Sequence, residues 1–374
     1  MKLVFLTRHE AMGASSRYRS LQYFDAIREA GHEVTQSYFY SDAYLRARYS
    51  GKVAYFEILK AFVRRFFALV WLTRTADVVV IEKESFPFLP AFTERLLRLG
   101  DAAIIYDYDD AIWHSYEARN FGPLTQMLRG KIARVVAGAD HVIVGSQYLK
   151  EQVEAWGAPR VSFIPTTVPA SKYQGIGQEA DKTVDLVWIG SMSTGPYLQE
   201  VFPAIERLHA ERGTLIRLIG FPASYFNGEI PPYVEICKWS ADTELDLLAS
   251  GRIGIMPLPD SPYERGKCGF KLIQYMGVGL PVIASPVGEN SYIVQDGQNG
   301  FLVDSAEGWY RSISALLDSP DLAAQMGGSG YERFKERYST ESASKKLLAT
   351  LEASAISKEY NSSAPLSDEH SESN

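Results

Sequence analysis

Cysteine is scarce in this chain, and long apolar runs are missing. Only two of the 374 residues are cysteines, Cys237 and Cys268, which excludes a disulfide framework and a cysteine-based metal site. No apolar run reaches the roughly 18 residues that a membrane-spanning helix needs. The apolar run in the opening segment MKLVFLTRHE is too short for a secretory signal peptide. These absences predict a cytoplasmic protein with reduced thiols.

Positive charge is not in excess either. Lysine and arginine number 38 against 45 acidic residues, which gives a net charge of −7 and argues against nucleic acid as a partner. No G-x-G-x-x-G sequence follows the first apolar run, so the fingerprint of a nicotinamide dinucleotide site is missing there. The histidines show no metal-ligand spacing. We therefore expect neither a bound metal nor a cofactor.

Short apolar runs alternate with helical patterns in both halves of the chain. In the first half we predict strands over 3–6, 34–39, 77–81, 103–106, 141–144 and 161–165, and helices over 18–30, 88–99 and 124–137. In the second half we predict strands over 184–189, 215–219, 234–237, 253–256, 282–284 and 301–303. Strands separated by helices are typical of parallel sheets. The predicted fold class is α/β, with two Rossmann-like domains.

Composition places the domain boundaries. We assign the first domain to 1–168, a linker rich in Thr, Ser, Gly and Gln to 169–182, and the second domain to 183–340. A last helix is predicted over 341–356. Beyond it, 357–374 is polar, acidic and Ser-rich, which predicts a disordered tail.

The segment 267–303, KCGFKLIQYMGVGLPVIASPVGENSYIVQDGQNGFLV, carries the strongest functional pattern. Its first part has an apolar stripe with helical spacing, and the run 282–284 after Pro281 suits a buried strand. The loop 286–289 follows that strand, where open α/β sheets bind their ligands. A helix that begins there directs backbone N–H groups toward an anion such as a diphosphate.

The same segment resembles the donor-binding signature of retaining glycosyltransferases of the GT-B fold, of the family-four (group one) type. That signature has a Glu, seven residues and a second Glu, then Ala-Met-Ala, a Gly-Pro-Val strand and Asp-Gly-x-Asn-Gly. Here GLPV at 279–282 and DGQNG at 296–300 match. Gln274 stands at the second Glu and Gly266 at the first, and Glu264 is the candidate to replace the first acid.

Further segments, at 81–87, 105–113 and 188–194, resemble a bacterial subset of these transferases, and the likeness extends over roughly residues 1–350. The resemblance implies that the second domain binds a nucleotide-diphosphate sugar, without a metal, and that the first domain binds the acceptor. It also implies that the last helix crosses back onto the first domain and that the sugar is transferred with retention.

Residues of the second domain that could contact the donor are Gly190, Ser191, Ser193, Thr194, Lys267, Lys271, Gln274, Gly288 and Glu289. The two lysines lie four residues apart, so one helical face would present both to a diphosphate. The loop over 190–194 offers hydroxyl and amide donors. Two plainer interpretations stay open, namely solvated surface lysines and an N-cap role for Thr194.

The first domain carries acidic residues where predicted strands end. The catalytic candidates are Asp107, Asp110 and Glu84. The resemblance favours Asp107 as the residue that orients sugar or acceptor hydroxyls. An acidic cluster without a neighbouring cation indicates ligand binding, although helix capping and Mg²⁺ binding stay open. The candidate acceptor contacts, after the first strand, are Gly13, Arg17 and Arg19.

A basic and aromatic segment over 46–74 is the remaining feature. Its apolar residues follow helical spacing, and lysine and arginine flank them. Such a helix either packs on the sheet or lies on an anionic membrane surface. The second alternative would suit a lipid-linked acceptor and a peripheral position on the inner face of the plasma membrane.

These patterns together predict a glycosyltransferase that moves a sugar from a nucleotide-diphosphate sugar to a glycan or lipid-linked acceptor. By analogy, its setting is the synthesis of bacterial cell-surface polysaccharide or lipopolysaccharide. Two alternatives stay open. One is a catalytically silent protein that binds sugar nucleotides, and the other is a GT-B sugar-nucleotide epimerase.

Overall fold

Two parallel sheets organise the chain in this computed structural model, which describes residues 1–176 and 180–363. The strands of the first sheet are β1 (Lys2–Leu6), β2 (Glu33–Gln36), β3 (Val78–Glu82), β4 (Ala103–Tyr108), β5 (His141–Val144) and β6 (Val161–Phe163). Those of the second are β7 (Val184–Ile189), β8 (Ile216–Ile219), β9 (Val234–Cys237), β10 (Gly251–Met256), β11 (Val282–Ala284) and β12 (Gly300–Leu302).

The strand orders are β2-β1-β3-β4-β5-β6 and β12-β11-β10-β7-β8-β9, and the paired strands are parallel throughout. Both orders reverse direction inside the sheet, next to β1 and next to β7. Ligands of open α/β sheets bind outside the carboxyl ends of the strands at such points. The topology therefore directs attention to the loops after β1, β3, β7 and β10.

Helices cover both faces of each sheet. In the first half they are α1 (Ala14–Arg19), α2 (Phe24–Glu29), α3 (Asp42–Tyr49), α4 (Tyr55–Phe67), α5 (Trp113–Glu117), α6 (Thr125–Arg129), α7 (Lys131–Ala137) and α8 (Gln147–Ala155). In the second half they are α9 (Ala170–Tyr173), α10 (Phe202–Arg212), α11 (Glu244–Ala249), α12 (Pro262–Arg265), α13 (Phe270–Gly277), α14 (Asn290–Ile293), α15 (Ala306–Asp318), α16 (Pro320–Arg333) and α17 (Thr340–Ser363).

Tighter or wider helical turns complete the layers. Those with 3-10 geometry are Leu21–Tyr23, Thr73–Thr75, Ala91–Leu99, Gly122–Leu124, Gly195–Glu200 and Ala223–Phe226, and those with π geometry are Ala68–Leu72 and Phe334–Tyr338. Within the described ranges, no helix is both long enough and apolar enough to cross a bilayer.

The central strands are buried on both faces, as a parallel sheet between helical layers requires, whereas the edge strands β2, β6, β9 and β12 are only partly buried. All residues of β3 and β4 are buried. In the first sheet Val79 and Ile104 pack into one core, while Val78 and Ala103 pack into the core on the opposite face. This two-sided burial explains why continuous apolar runs in the sequence mark these strands.

The C-terminal helix α17 returns to the first domain, as predicted. Its Ala343, Leu347 and Leu351 lie in one core with Leu3 and Phe5 of β1. The helix is longer than expected, because it continues past 356 and ends at Ser363. No glycine or proline interrupts 341–363, which accounts for the extension. The rest of the predicted tail, 364–374, lies outside the described residues.

Two predicted helices are interrupted in the structure. The helix expected over 18–30 is divided into α1 and α2 at Ser20, whose backbone is not helical (φ −130°), and the Gln22 side chain donates to Tyr18 O (2.6 Å) and Thr167 O (3.1 Å) there. The helix expected over 124–137 is divided at Gly130 between α6 and α7. The helix expected over 88–99 begins only at Ala91, after Pro90.

Candidate active site

The carboxyl ends of the two sheets face each other across a cleft. The thiol of Cys268, in the loop before α13, donates to the carbonyl of Asp109, in the loop after β4, at 2.8 Å. Glu289, after β11, accepts from the backbone N–H of Gln147, after β5, at 2.8 Å. These contacts bring the loops of the first domain against those of the second, so candidates from both halves meet at one site.

The two candidate lysines lie on the second-domain wall. Lys271 is on the first turn of α13, and its Nζ is 5.5 Å from the ring centroid of Trp188. Lys267 lies before α13 begins, so the expectation that one helical face presents both lysines was wrong. Its Nζ is 4.8 Å from the ring centroid of Tyr263. Burial, and then the charge of Lys267, lower the pKa of Lys271 to about 8. Neither lysine forms an ion pair with any residue that the structure describes.

The loop after β7 lies beside these lysines. Gly190 is required there, since a Cβ at this position would lie 2.3 Å from the Trp188 ring. Ser191 and Ser193 are exposed, and their hydroxyls are 2.9 Å apart. Thr194 precedes the turn Gly195–Glu200, but its hydroxyl donates back to Ser191 O at 3.3 Å and makes no capping bond. The loop therefore presents two serine hydroxyls to the cleft.

Gln274, which stands where the family signature has its second Glu, is engaged inside the second domain. It is buried, and its Nε2 donates to Glu244 Oε1 at 2.9 Å. Glu244 also accepts from Trp239 Nε1 at 2.5 Å. Glu264 is likewise held, because it accepts from the Tyr197 hydroxyl at 2.5 Å. Both side chains thus have internal partners in this structure.

Gly288 and Glu289 lie in the loop after β11, and Glu289 contacts the first domain. Gly288 has φ +54°, and a Cβ there would lie 2.3 Å from Arg265 O, so only glycine fits. Glu289 is 2% exposed, and it accepts from the first backbone N–H of α8. Burial raises the pKa of Glu289 to about 7, although the Gln147 N–H opposes the shift. The carboxylate of Glu289 is therefore hydrogen-bonded to the first domain in this structure.

Because the pKa of Glu289 is higher in the folded state than in the unfolded state, the free energy of unfolding falls as pH rises. Unfolded Glu289 loses its proton near 4.5 and the folded residue near 7, so its contribution is complete below about 4.5 and is lost by about 7. We expect Glu289→Gln, which keeps the acceptor oxygen, to flatten the fall in unfolding free energy over this interval. The upper limit for one proton is about 1.4 kcal/mol per pH unit. Denaturant titrations from pH 4.5 to 8 measure the slope, and equal slopes in both proteins would refute the assignment.

The first-domain wall does not carry the free acidic cluster that the sequence suggested. Asp107 is buried and forms a bidentate ion pair with Arg19, through Nε at 3.0 Å and through Nη2. Arg19 also donates to Ile164 O at 2.8 Å. Burial opposes the charge on Arg19, but the Asp107 carboxylate outweighs it and raises the guanidinium pKa. The structure thus brings a catalytic candidate and an acceptor candidate together, as partners of each other.

Lys83 neutralises the other two acids of the strand end. Its Nζ is 2.8 Å from Asp109 Oδ1 and 3.2 Å from Asp110 Oδ2. Asp109 also accepts from the Ser15 hydroxyl at 2.9 Å. The expectation of an acidic cluster without a neighbouring cation was therefore wrong. Of the three aspartates, Asp110 is the most accessible, with 36% of its side chain exposed.

Glu84 is bound within the first domain. It accepts from Lys131 Nζ at 2.6 Å and from the Tyr116 hydroxyl at 2.7 Å, and Arg8 Nη1 lies 3.6 Å away. Glu84 and Lys131 are both buried. This pair holds the loop after β3 against α5 and α7, so the described contacts of Glu84 are structural.

Gly13 and Arg17 flank the start of α1. Gly13 is buried, and a Cβ there would lie 2.2 Å from His9 Cβ, so the glycine allows the loop after β1 to fold back. The Arg17 guanidinium lies 5.5 Å from the Tyr18 ring centroid. Arg17 is partly exposed and is the candidate of this group that retains access to solvent.

Several residues of the cleft were not selected from the sequence. Lys83 has φ +67°, which is strained for a lysine, and it links two aspartates. Burial, then Arg8 and Lys83, lower the pKa of His9 to about 4, so its ring is neutral at pH 7. The buried Glu82 accepts from Ser16 Oγ at 2.5 Å. The sequence signal that could have identified Lys83 was its position between two acidic residues after a buried strand.

No cluster of three His, Cys, Asp or Glu side chains suited to a metal ion occurs in the described part of the chain. The cleft therefore presents cations and hydroxyls on the second-domain wall. The first-domain wall presents paired charges with one accessible carboxylate. An anionic ligand fits the first of these walls, because its lysines have no acidic partner.

Comparisons with known proteins agree with this architecture. Residues 183–319 match a family model described as glycosyl transferases group 1, so the second domain carries the sequence pattern of that group. No curated protein sequence matches the chain significantly.

Solved structures extend the likeness to both domains. HepE from Anabaena in complex with UDP is 14% identical, with a TM-score of 0.68 over 94% of this chain and 100% of that one. Sucrose-phosphate synthase from Thermosynechococcus elongatus is 16% identical, with a TM-score of 0.65 over 96% and 99%. A glycosyltransferase from Rickettsia africae is 13% identical, with a TM-score of 0.66 over 94% and 98%. At these identities the likeness establishes the fold, and the predicted GT-B fold is confirmed.

Proposed function

We propose that this protein is a retaining glycosyltransferase. The proposal is supported by the GT-B fold and by the second domain, which has the sequence pattern of group 1 glycosyl transferases. It would move a sugar from a nucleotide-diphosphate sugar to a glycan or lipid-linked acceptor. HepE, which was solved with UDP, supports a donor of this class. Retention, and a setting in bacterial cell-surface polysaccharide or lipopolysaccharide synthesis, follow from the resemblance of the segment 267–303.

The observation that supports the proposal most directly is that Lys267 and Lys271 form no ion pair with the described residues. Removing an ammonium group from water without a counter-ion costs free energy, and the pKa of Lys271, lowered to about 8, reflects that cost. A diphosphate supplies the missing negative charge at this point. Lys267, in the loop before α13, adds a second positive charge, which also acts on Lys271.

Departure of the nucleotide diphosphate is the step that these residues would assist. Negative charge develops on the leaving phosphate as the bond from the sugar breaks, and preorganised cations stabilise it in a site shielded from water. The hydroxyls of Ser191 and Ser193 can donate hydrogen bonds to the same oxygens. Lys271 would hold its charge most strongly when the phosphate is bound, because the anion raises the ammonium pKa.

The acceptor would approach from the first-domain wall. Asp110 is the accessible carboxylate there, and it is held by Lys83. Its position after β4 suits the orientation of a hydroxyl group of the acceptor or sugar. Asp107 would act indirectly, because its ion pair with Arg19 fixes the end of β4 beside this residue.

One observation favours a second candidate, a protein that binds sugar nucleotides without transferring the sugar. The two acids of the family signature are replaced by Gly266 and Gln274. The side chain of Gln274 is also hydrogen-bonded to Glu244, and that of Glu264 to Tyr197. A donor sugar would then lack the carboxylates that hold it for reaction in related enzymes.

A calorimetric panel of UDP-, GDP-, ADP- and dTDP-sugars tests the proposal. We expect saturable binding of one nucleotide class, since the lysine pair recognises the diphosphate and the rest of the cleft selects the base. Turnover assays with the bound donor and a set of glycan and lipid-linked acceptors separate the two candidates. Binding without transfer would select the silent protein, and failure of all four nucleotides to bind would refute both.

A further inference from the structure

The helix α4 turns its apolar side to solvent. Its buried residues are Ala61 and Arg65. The residues exposed along α4 and the turn after it include Tyr55, Phe56, Leu59, Val63, Phe66, Phe67 and Trp71. Phe56 is 68% exposed, Leu59 61% and Trp71 58%, which is unusual for a row of large apolar side chains on one element. We call this row the α4 face.

Hydrogen bonds on the opposite side of α4 fix this orientation. Arg65 donates through Nη2 to Thr7 O at 2.6 Å and to Ser37 O at 3.3 Å. Arg64 donates to the carbonyls of Tyr38 and Phe39 at 2.9 and 2.6 Å. Rotating the helix to bury its apolar side would break these bonds and leave backbone carbonyls unpaired. The exposure of the α4 face is therefore built into the fold.

Positive charge surrounds the α4 face. Residues 46–74 contain seven Lys and Arg and a single Glu, whereas the whole chain has a net charge of −7, although Arg64 and Arg65 lie on the opposite side of α4. The exposed cations of this segment include Arg46, Arg48, Lys52 and Lys60, and Lys60 pairs with Glu57 at 2.8 Å. Aromatic side chains beside lysine and arginine are typical of helices that lie at the boundary between lipid headgroups and acyl chains.

We propose that the α4 face docks on the surface of an anionic lipid bilayer. Phe56, Leu59, Val63 and Phe66 would enter the boundary of the acyl chains, and the surrounding cations would contact anionic headgroups. A second copy of this chain fits less well, because a symmetric contact would place the same positive charges against each other.

Docking would also position the cleft. Arg65 binds the carbonyl of Thr7, directly after β1, so α4 lies against the first-domain rim of the cleft. If the proposed transfer function holds, a lipid-linked acceptor in the same bilayer would reach the cleft without leaving the membrane. The docking itself does not depend on transfer, so the two proposals can fail separately.

Flotation with lipid vesicles tests the docking. We expect the full chain to bind vesicles of 30 mol% phosphatidylglycerol in phosphatidylcholine, and to bind pure phosphatidylcholine vesicles much less. The variant Phe56→Gln/Leu59→Gln should lose at least tenfold in partition coefficient, because both side chains leave the lipid. Arg48→Gln/Lys52→Gln should lose about fivefold per charge, and the loss should shrink as salt is added.

Matched controls keep the test specific. Ile356→Gln removes a 66% exposed apolar side chain from α17, and Arg311→Gln removes a 76% exposed cation from α15, so both should bind vesicles like the parent chain. Far-ultraviolet circular dichroism and thermal unfolding check that the α4 variants are folded like the parent chain. Absence of vesicle binding by the parent chain, or equal binding by test and control variants, would overturn the proposal. So would sedimentation showing a dimer that the α4 variants dissociate.

Discussion

Replacing Asp107 with alanine is expected to lower the free energy of unfolding by about 3–5 kcal/mol, the usual cost of breaking a buried ion pair from one side. The carboxylate lies in a buried bidentate pair with Arg19. Arginine cannot release its proton at accessible pH, so the variant must keep an uncompensated buried charge or expose it. Urea denaturation at pH 7, followed by far-ultraviolet circular dichroism, measures the loss.

The reverse substitution separates this explanation from simple loss of packing. In Arg19→Met the remaining Asp107 can take up a proton, so the loss should be smaller at pH 5 than at pH 8. The double variant Arg19→Met/Asp107→Leu should recover much of the stability, because neither charge remains. A double variant no more stable than Asp107→Ala, or a pH-independent loss in Arg19→Met, would contradict the ion-pair account.

Lys271→Ala is expected to weaken donor binding about 30- to 100-fold, which corresponds to roughly 2–3 kcal/mol for a lost charge-assisted contact. The lysine has no described acidic partner, so its removal should not reduce the free energy of unfolding. Isothermal titration with the nucleotide sugar that binds the parent chain measures the effect. Lys345→Ala, an exposed lysine of α17, serves as the control.

The pH dependence of donor binding supplies a second readout. Binding requires the protonated ammonium, and the pKa of Lys271 is lowered to about 8. Affinity should therefore fall, by up to about tenfold, as pH rises from 7 to 9. Lys271→Arg keeps its charge over this range and should bind with little dependence on pH. Unchanged affinity in Lys271→Ala would remove the lysine pair from the donor site.

The central strands of the fold were predictable because they are short apolar runs buried on both faces. The predictions for β5, β7, β9 and β11 agree with the structure at both ends, and the others differ by a few residues. The helix breaks were harder. The chain leaves helical geometry at Ser20, between α1 and α2, where Gln22 bonds to Thr167, which is distant in sequence.

The charges of the cleft could be found in the sequence, but their pairing could not. Arg19 and Asp107 are 88 residues apart, and the pair exists only because β1 and β4 end at the same edge of the sheet. Lys83 was visible beside two glutamates, yet its unusual backbone directs it to the aspartates after β4 instead. Local patterns thus predicted where polar residues gather, whereas their partners depend on the tertiary structure.

The return of α17 also bears on how the protein is made. One face of the first sheet, with Leu3 and Phe5, is covered partly by Phe24 and Ile27 of α2 and partly by Leu347 and Leu351 of α17. During synthesis on the ribosome, the part of this face under α17 has no cover until Leu347 and Leu351 have emerged. The first domain therefore cannot complete its folding before the second has been translated, and the nascent chain presents an open apolar layer that chaperones could shield.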